Sequence, residues 1–252
     1  MSISFTPYLI VCPLLFLSGF VDSIGGGGGL ISIPAFLMAG LSPHAAIATN
    51  KLGAFGGLTL SAARFAKSGC LSLKLSVFSV IAAILGSFLG AHLSLLVSEN
   101  VMSHILIFVL PLSAFFVLNK RFFNDEGHDA VSLDRRTIFT AVTAAFIIGG
   151  YDGFYGPGTG TFLIIAFTAF AHLSVKTASG QAKIINLTTN ITSLIVFLLN
   201  GQVLIPLGLA GCVCSMLGGY LGAGLALKNG AKIVRPIILA VLLLLLIKVI
   251  AG

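Results

Sequence analysis

Five consecutive glycines, Gly25 to Gly29, interrupt an apolar run near the start of this chain, and a second break, Gly156-Pro-Gly-Thr-Gly160, interrupts another in its second half. A glycine inside a helix costs roughly 1 kcal/mol against alanine, so no continuous helix should pass through either stretch. Yet the flanking sequence is apolar enough to lie in lipid. Irregular backbone at membrane depth persists only where protein or a water-filled cavity covers it. Both breaks are therefore expected inside a polytopic membrane protein, building a substrate site.

Composition agrees with that solvent. Hydrophobic residues make up 57% of the 252 and charged ones 8%, against about 25% charged in soluble domains. Runs of about 20 uncharged residues recur, the length that crosses a 30 Å hydrocarbon slab. The net charge of +7 falls mostly in short loops beside apolar segments, which orients a membrane protein and does not imply nucleic-acid binding. Cys12, Cys70, Cys212 and Cys214 show no ligand spacing and read as packing residues, with no disulfide, metal or cofactor implied. No basic region precedes the first apolar stretch and no small-x-small cleavage site interrupts it, so that stretch reads as mature protein.

The apolar segments fall at about 7–24, 30–41, 43–63, 75–98 and 101–118, then 137–154, 161–172, 175–199, 203–227 and 233–251. The polar stretch from Lys120 to Arg136 holds four of the seven acidic residues. Three parts are expected: a first membrane repeat over 1–118, a cytoplasmic linker over 119–136 and a second membrane repeat over 137–252. The repeat is visible at a shift of 132 residues, where 41–93 and 173–225 share 14 identities in 53 pairs. Such biased composition yields on the order of five by chance. Lys51 falls on Lys183, Gly69 on Gly201, and Gly86-x-x-Leu-Gly on Gly218-x-x-Leu-Gly. Those paired glycines are small-xxx-small packing faces. Ser42, followed by Pro43, and Ser174 stand as helix N-caps.

Equivalent loops carry opposite charge. Arg64, Lys67 and Lys74 mark a cytoplasmic connection, while its counterpart Asn200-Gly-Gln202 has no basic residue. Glu99 marks an external turn, while its equivalent, Lys228 to Arg235, is basic. The expected fold is all-α and polytopic, with two inverted-topology repeats and glycine-broken or re-entrant helices. The short segments 30–41 and 161–172 fit either a hairpin with the preceding helix or half of a discontinuous crossing.

Lys51 and Lys183 each lie about 8 residues, or roughly 12 Å, into their helices, near the midplane, where a charge costs at least about 2.5–3.5 kcal/mol. They either snorkel to an interface or line a cavity with Thr49, Asn50, Gln181, Asn186 and Asn190. Gly26, Gly27 and Gly28, with Gly156, Gly158 and Gly160, either permit tight turns or present successive N–H groups to an anion. Asp22 and Asp152 precede the breaks; they either brace the broken helices or couple transport to protons. His92 and His104 have no repeat counterpart and read as packing or interfacial residues. The pattern contains no catalytic or nucleotide-binding motif.

Asp22-Ser-Ile-Gly-Gly-Gly-Gly-Gly-Leu-Ile-Ser-Ile-Pro34, with Leu41 to Lys51, resembles the first half-signature of the TauE/SafE sulfite-exporter family, particularly its YfcA-like branch. Asp152-Gly-Phe-Tyr-Gly-Pro-Gly-Thr-Gly160, with Lys183-Ile-Ile-Asn186 and Asn190, resembles the second. The resemblance covers nearly the whole chain. It implies a bacterial inner-membrane permease for sulfite, a sulfonate or a related small organic anion. The expected partners are that anion and the lipid bilayer, with homo-oligomerisation left open. A passive anion channel of the same architecture is the alternative, and an intramembrane enzyme a third reading.

Overall fold

A computed structural model describes residues 5–102, 104–105 and 134–229. Within them the chain forms α1 (Thr6–Gly25), α2 (Gly29–Met38), α3 (Pro43–Lys67) and α4 (Leu73–Leu96), then α5 (Arg135–Phe154), α6 (Thr159–Ala169), α7 (Val175–Leu199) and α8 (Ile205–Asn229). Both glycine-rich stretches separate helices, as expected. Five of the eight, α1, α4, α5, α7 and α8, are long and apolar enough to cross a membrane. The protein is an all-α polytopic membrane protein. The segments expected at 101–118 and 233–251, and the linker up to residue 133, lie outside the described residues apart from a few positions near residue 101.

Helix ends follow local chemistry. Ser42 Oγ accepts from Ala45 N at 3.5 Å with Pro43 in the first turn, and Ser174 Oγ accepts from Thr177 N at 3.3 Å. These are the two expected caps. At the other ends Gly69 and Gly201, with φ of 73° and 67°, close α3 and α7. In each the next N–H reaches back five residues, Cys70 N to Phe65 O and Gln202 N to Phe197 O, which is a Schellman termination.

The contacts fix which way each helix runs. Ser18 Oγ donates to Gly28 O, and Leu15 lies with Phe36 over Gly53. Numbers fall along α1 as they rise along α2, so the two form a hairpin. The Tyr151 and Phe162 rings meet edge-on at 5.5 Å, and Tyr151 Oη donates to Pro157 O, as α6 folds back on α5. The choice left open by the sequence thus falls on hairpins. Gly211 packs on Leu15, Gly222 on Phe20, and Gly56 on Cys212, so α1, α3 and α8 run the same way. Ser87 Oγ donates to Thr189 O, and Ser76 Oγ to Gln181 Oε1. With Gly86 against Phe146 and Gly90 against Gly150, these contacts align α4, α5 and α7. Gly180 packs on Cys70 while Leu204 N donates to Thr49 Oγ1, so α7 opposes α3.

Small residues face inward and large ones outward, which suits helix packing without a hydrophobic drive between helices. On α4, Ser79, Ala83, Gly86, Ser87 and Gly90 are buried while Phe78, Ile81, Leu85 and Leu89 are exposed. The expected glycine faces both pack on the opposite half: Gly86 and Gly90 on α5, Gly218 and Gly222 on α1. This interleaving brings the two breaks together.

Candidate functional site

The two breaks touch. Thr161 Oγ1 donates to Gly25 O at 2.8 Å, and Gly26 has φ of 80° with its α-carbon against Gly160. A side chain at position 26 would strike the backbone of Thr161, so only glycine serves there. Gly156 needs glycine for its φ of 98°, and a β-carbon there would also sit 2.9 Å from Lys51 Nζ.

Around this contact four charges form two pairs, each crossing between halves. Lys51 Nζ lies 3.0 Å from Asp152 Oδ2 and donates to Asp152 O at 2.5 Å. Thr159 Oγ1 donates to the other carboxylate oxygen at 2.7 Å. Lys183 Nζ donates to the Asp22 carbonyl and stands 3.8 Å from Asp22 Oδ2. Asp22 Oδ1 accepts from Gly28 N at 3.0 Å. The pairs are thus unequal. Asp152 has a hydrogen-bonding partner on both oxygens, whereas Asp22 has one on Oδ1 and only a long ion-pair contact on Oδ2. Its side chain is 17% exposed and that of Asp152 4%.

Each carboxylate sits where an anion was expected. Gly28 is the N-cap of α2 and Thr159 the first residue of α6, and helix N-termini favour negative charge. The aspartates fill those positions from within the chain. A carboxylate braced by a backbone N–H also fits the structural role open to Asp22.

The pairs border a small cavity lined from both halves by Ser18, Asp22, Gly28 and Gly29, by Asn50, Lys51, Ala54 and Leu58, and by Asp152, Gly156, Gly158, Thr159, Gly160, Asn186 and Asn190, among others. Its water-accessible volume is about 30 Å³, room for one or two waters. The side-chain amide oxygens of Asn50 and Asn190 are buried there without a partner among the described residues. The halves differ at this lining: the positions of α3 that correspond to Asn186 and Asn190 hold Ala54 and Leu58.

Of the residues singled out from sequence, Asn50, Lys51, Asn186, Asn190, Asp22, Asp152, Gly28, Gly156, Gly158 and Gly160 meet at the cavity. Others stand apart from it. Gly26 and Gly27 form the turn, Lys183 lies fully buried beside Asp22, and Thr49 binds the α8 entry through Leu204 N. Gln181 joins α7 to α4, accepting from Ser76 Oγ at 2.8 Å and donating to Ser72 O at 3.1 Å. Sequence reasoning missed Ser18 and Thr159. Ser18 carries a usable signal, lying one helical turn before Asp22.

The family profile "Sulfite exporter TauE/SafE" matches residues 11–249. The chain belongs to the TauE/SafE family. Among TauE/SafE relatives, the "Probable membrane transporter protein YfcA" of Escherichia coli (strain K12) is 36% identical over 251 residues, covering 94% of this chain and 90% of that protein. A "Probable membrane transporter protein" of Haemophilus influenzae is 34% identical over 224 residues, covering 88% and 86%. The "Probable membrane transporter protein YdhB" of Bacillus subtilis is 25% identical over 218 residues, covering 85% and 89%. No solved structure matches the chain. Family and relatives together indicate a TauE/SafE-type membrane transporter, which is not an enzyme class.

Proposed function

We propose that this TauE/SafE protein is a secondary transporter that carries a small anion, sulfite, a sulfonate or a related organic anion, across the bacterial inner membrane. The observation that carries this reading is the meeting of two glycine breaks, two helix N-termini and a cavity-lining lysine at one small cavity, where Asp22 and Asp152 hold the places an anion would take. The breaks, the N-termini and the lysine each favour negative charge. Asn50, Asn186 and Asn190 add amides that select oxygen-bearing ligands. The profile name, a sulfite exporter, supports the substrate class.

The opposed run of α1 and α5, and of α3 and α7, supports two inverted repeats that rock about the shared cavity. The passive channel is the second reading. Cavity room for no more than one or two waters favours a carrier over an open pore. Counterflow tests both. Liposomes loaded with unlabelled sulfite should accumulate labelled sulfite transiently above equilibrium if the protein is a carrier. A channel gives equilibration without overshoot, and no flux of sulfite or sulfonates would reject the anion reading.

A further inference from the structure

We propose that anion binding is coupled to protonation of Asp22, so that one proton travels with each anion in the same direction. This rests on the anion reading above and adds the coupling ion and the residue that carries it.

The argument begins with charge. Lys51, Asp152 and Asp22 line the cavity and Lys183 lies behind Asp22, two cations and two carboxylates that sum to zero. Among the described residues, no other titratable side chain lines it: α2 with its cap contributes Gly28 and Gly29, α6 contributes Thr159 and Gly160, and α8 contributes none. An anion entering this small, electrically balanced cavity brings an uncompensated charge, which is unfavourable away from bulk water. Neutrality returns if a carboxylate takes up a proton. The lysine it leaves then faces the anion.

Geometry selects which carboxylate. Asp152 is held on both oxygens, by Lys51 at 3.0 Å and Thr159 at 2.7 Å. Asp22 holds Lys183 only at 3.8 Å through its carboxylate and is the more exposed of the two. It also occupies the N–H of Gly28, a donor the incoming anion can use. In the resulting state the anion accepts from Gly28 N in the cavity, Lys183 lies behind it as the balancing cation, and Asp22 is a neutral carboxylic acid. The proton comes from water on the side to which the cavity opens and leaves on the side where the anion is released. For a monoanion the cycle moves no net charge.

Calorimetry on the purified full chain tests this, using methanesulfonate, whose charge is fixed, with sulfite as second probe. Binding heats in two buffers of different ionisation enthalpy should reveal uptake of about one proton per anion, and affinity should fall about tenfold per pH unit above neutrality. In Asp22→Asn the slope should vanish, because the missing carboxylate leaves a cation ready for the anion, while Glu99→Gln, which does not line the cavity, should keep it. Binding without proton uptake, or an unchanged slope in Asp22→Asn, would overturn the coupling and leave the anion reading intact. If Asp22→Asn does not fold, the two-buffer measurement on the natural protein still decides. Binding of neither probe would overturn both.

Discussion

Replacing Lys51 by methionine keeps the stem and removes the charge, and its consequence follows from what Lys51 touches. The ammonium lies 3.0 Å from Asp152 Oδ2, and the two side chains are 2% and 4% exposed. Removing one partner of a buried pair costs about 3–5 kcal/mol, because the other is left uncompensated. At about 2–4 °C per kcal/mol for a chain of this size, the unfolding temperature should fall by roughly 6–20 °C. Asp152→Asn alone should cost a similar amount. The double variant, with neither charge, should recover most of the loss, giving a coupling energy of about 2 kcal/mol or more. The sequence has no tryptophan but four cysteines, so a thiol-reactive dye is the suitable reporter of unfolding in detergent. Unfolding of Lys51→Met together with the natural protein, or a double variant no better than either single one, would refute the pairing argument.

Three further outcomes are expected. Gly26→Ala should unfold far below Gly69→Ala: both positions have positive φ, but the first meets the Thr161 backbone and the second open space. The Gly69 change should cost only about 1–2 kcal/mol, and equal thermal stabilities would contradict the close approach. At Glu99 burial opposes ionisation, but hydrogen bonds from Ser42 and His44 outweigh it and hold the carboxyl below the ordinary glutamate range. Its stabilising contribution is therefore present above that range and lost as pH falls through the lowered value. Acid should thus destabilise the natural protein more than Glu99→Gln, as read by melting from about pH 7 to pH 3. Finally, a topology reporter fused after Gly69 should read cytoplasmic and one fused after Gly201 external; the same side for both would end the inverted-repeat reading.

Much of this arrangement was legible because it depends on local rules. Ser42-Pro43, Ser174, Gly69 and Gly201 mark helix ends by capping and handedness alone, and every described helix lies close to its apolar segment. Asn186 and Asn190 follow Lys183 at spacings of three and seven, which keeps them on one face. Thr49 and Gln181 precede their lysines by two, about 200° around the helix, and accordingly face neighbouring helices. What the sequence could not supply was the pairing itself. Nothing local to Lys51 indicates that a carboxylate 101 residues away will reach it, because that depends on how the two hairpins meet.

The crossing of those pairs has a consequence for how the chain is made. Lys51 binds an aspartate 101 residues later, and Asp22 meets a lysine 161 residues later. The ribosome therefore delivers the first four helices to the membrane with one cation and one carboxylate still lacking their final partners. Those charges must stay hydrated, or lean on the insertion machinery, until α5 and then α7 emerge. The amino-terminal half cannot reach its native state ahead of the rest. A chain truncated between the halves keeps Lys51 and Asp22 without these partners.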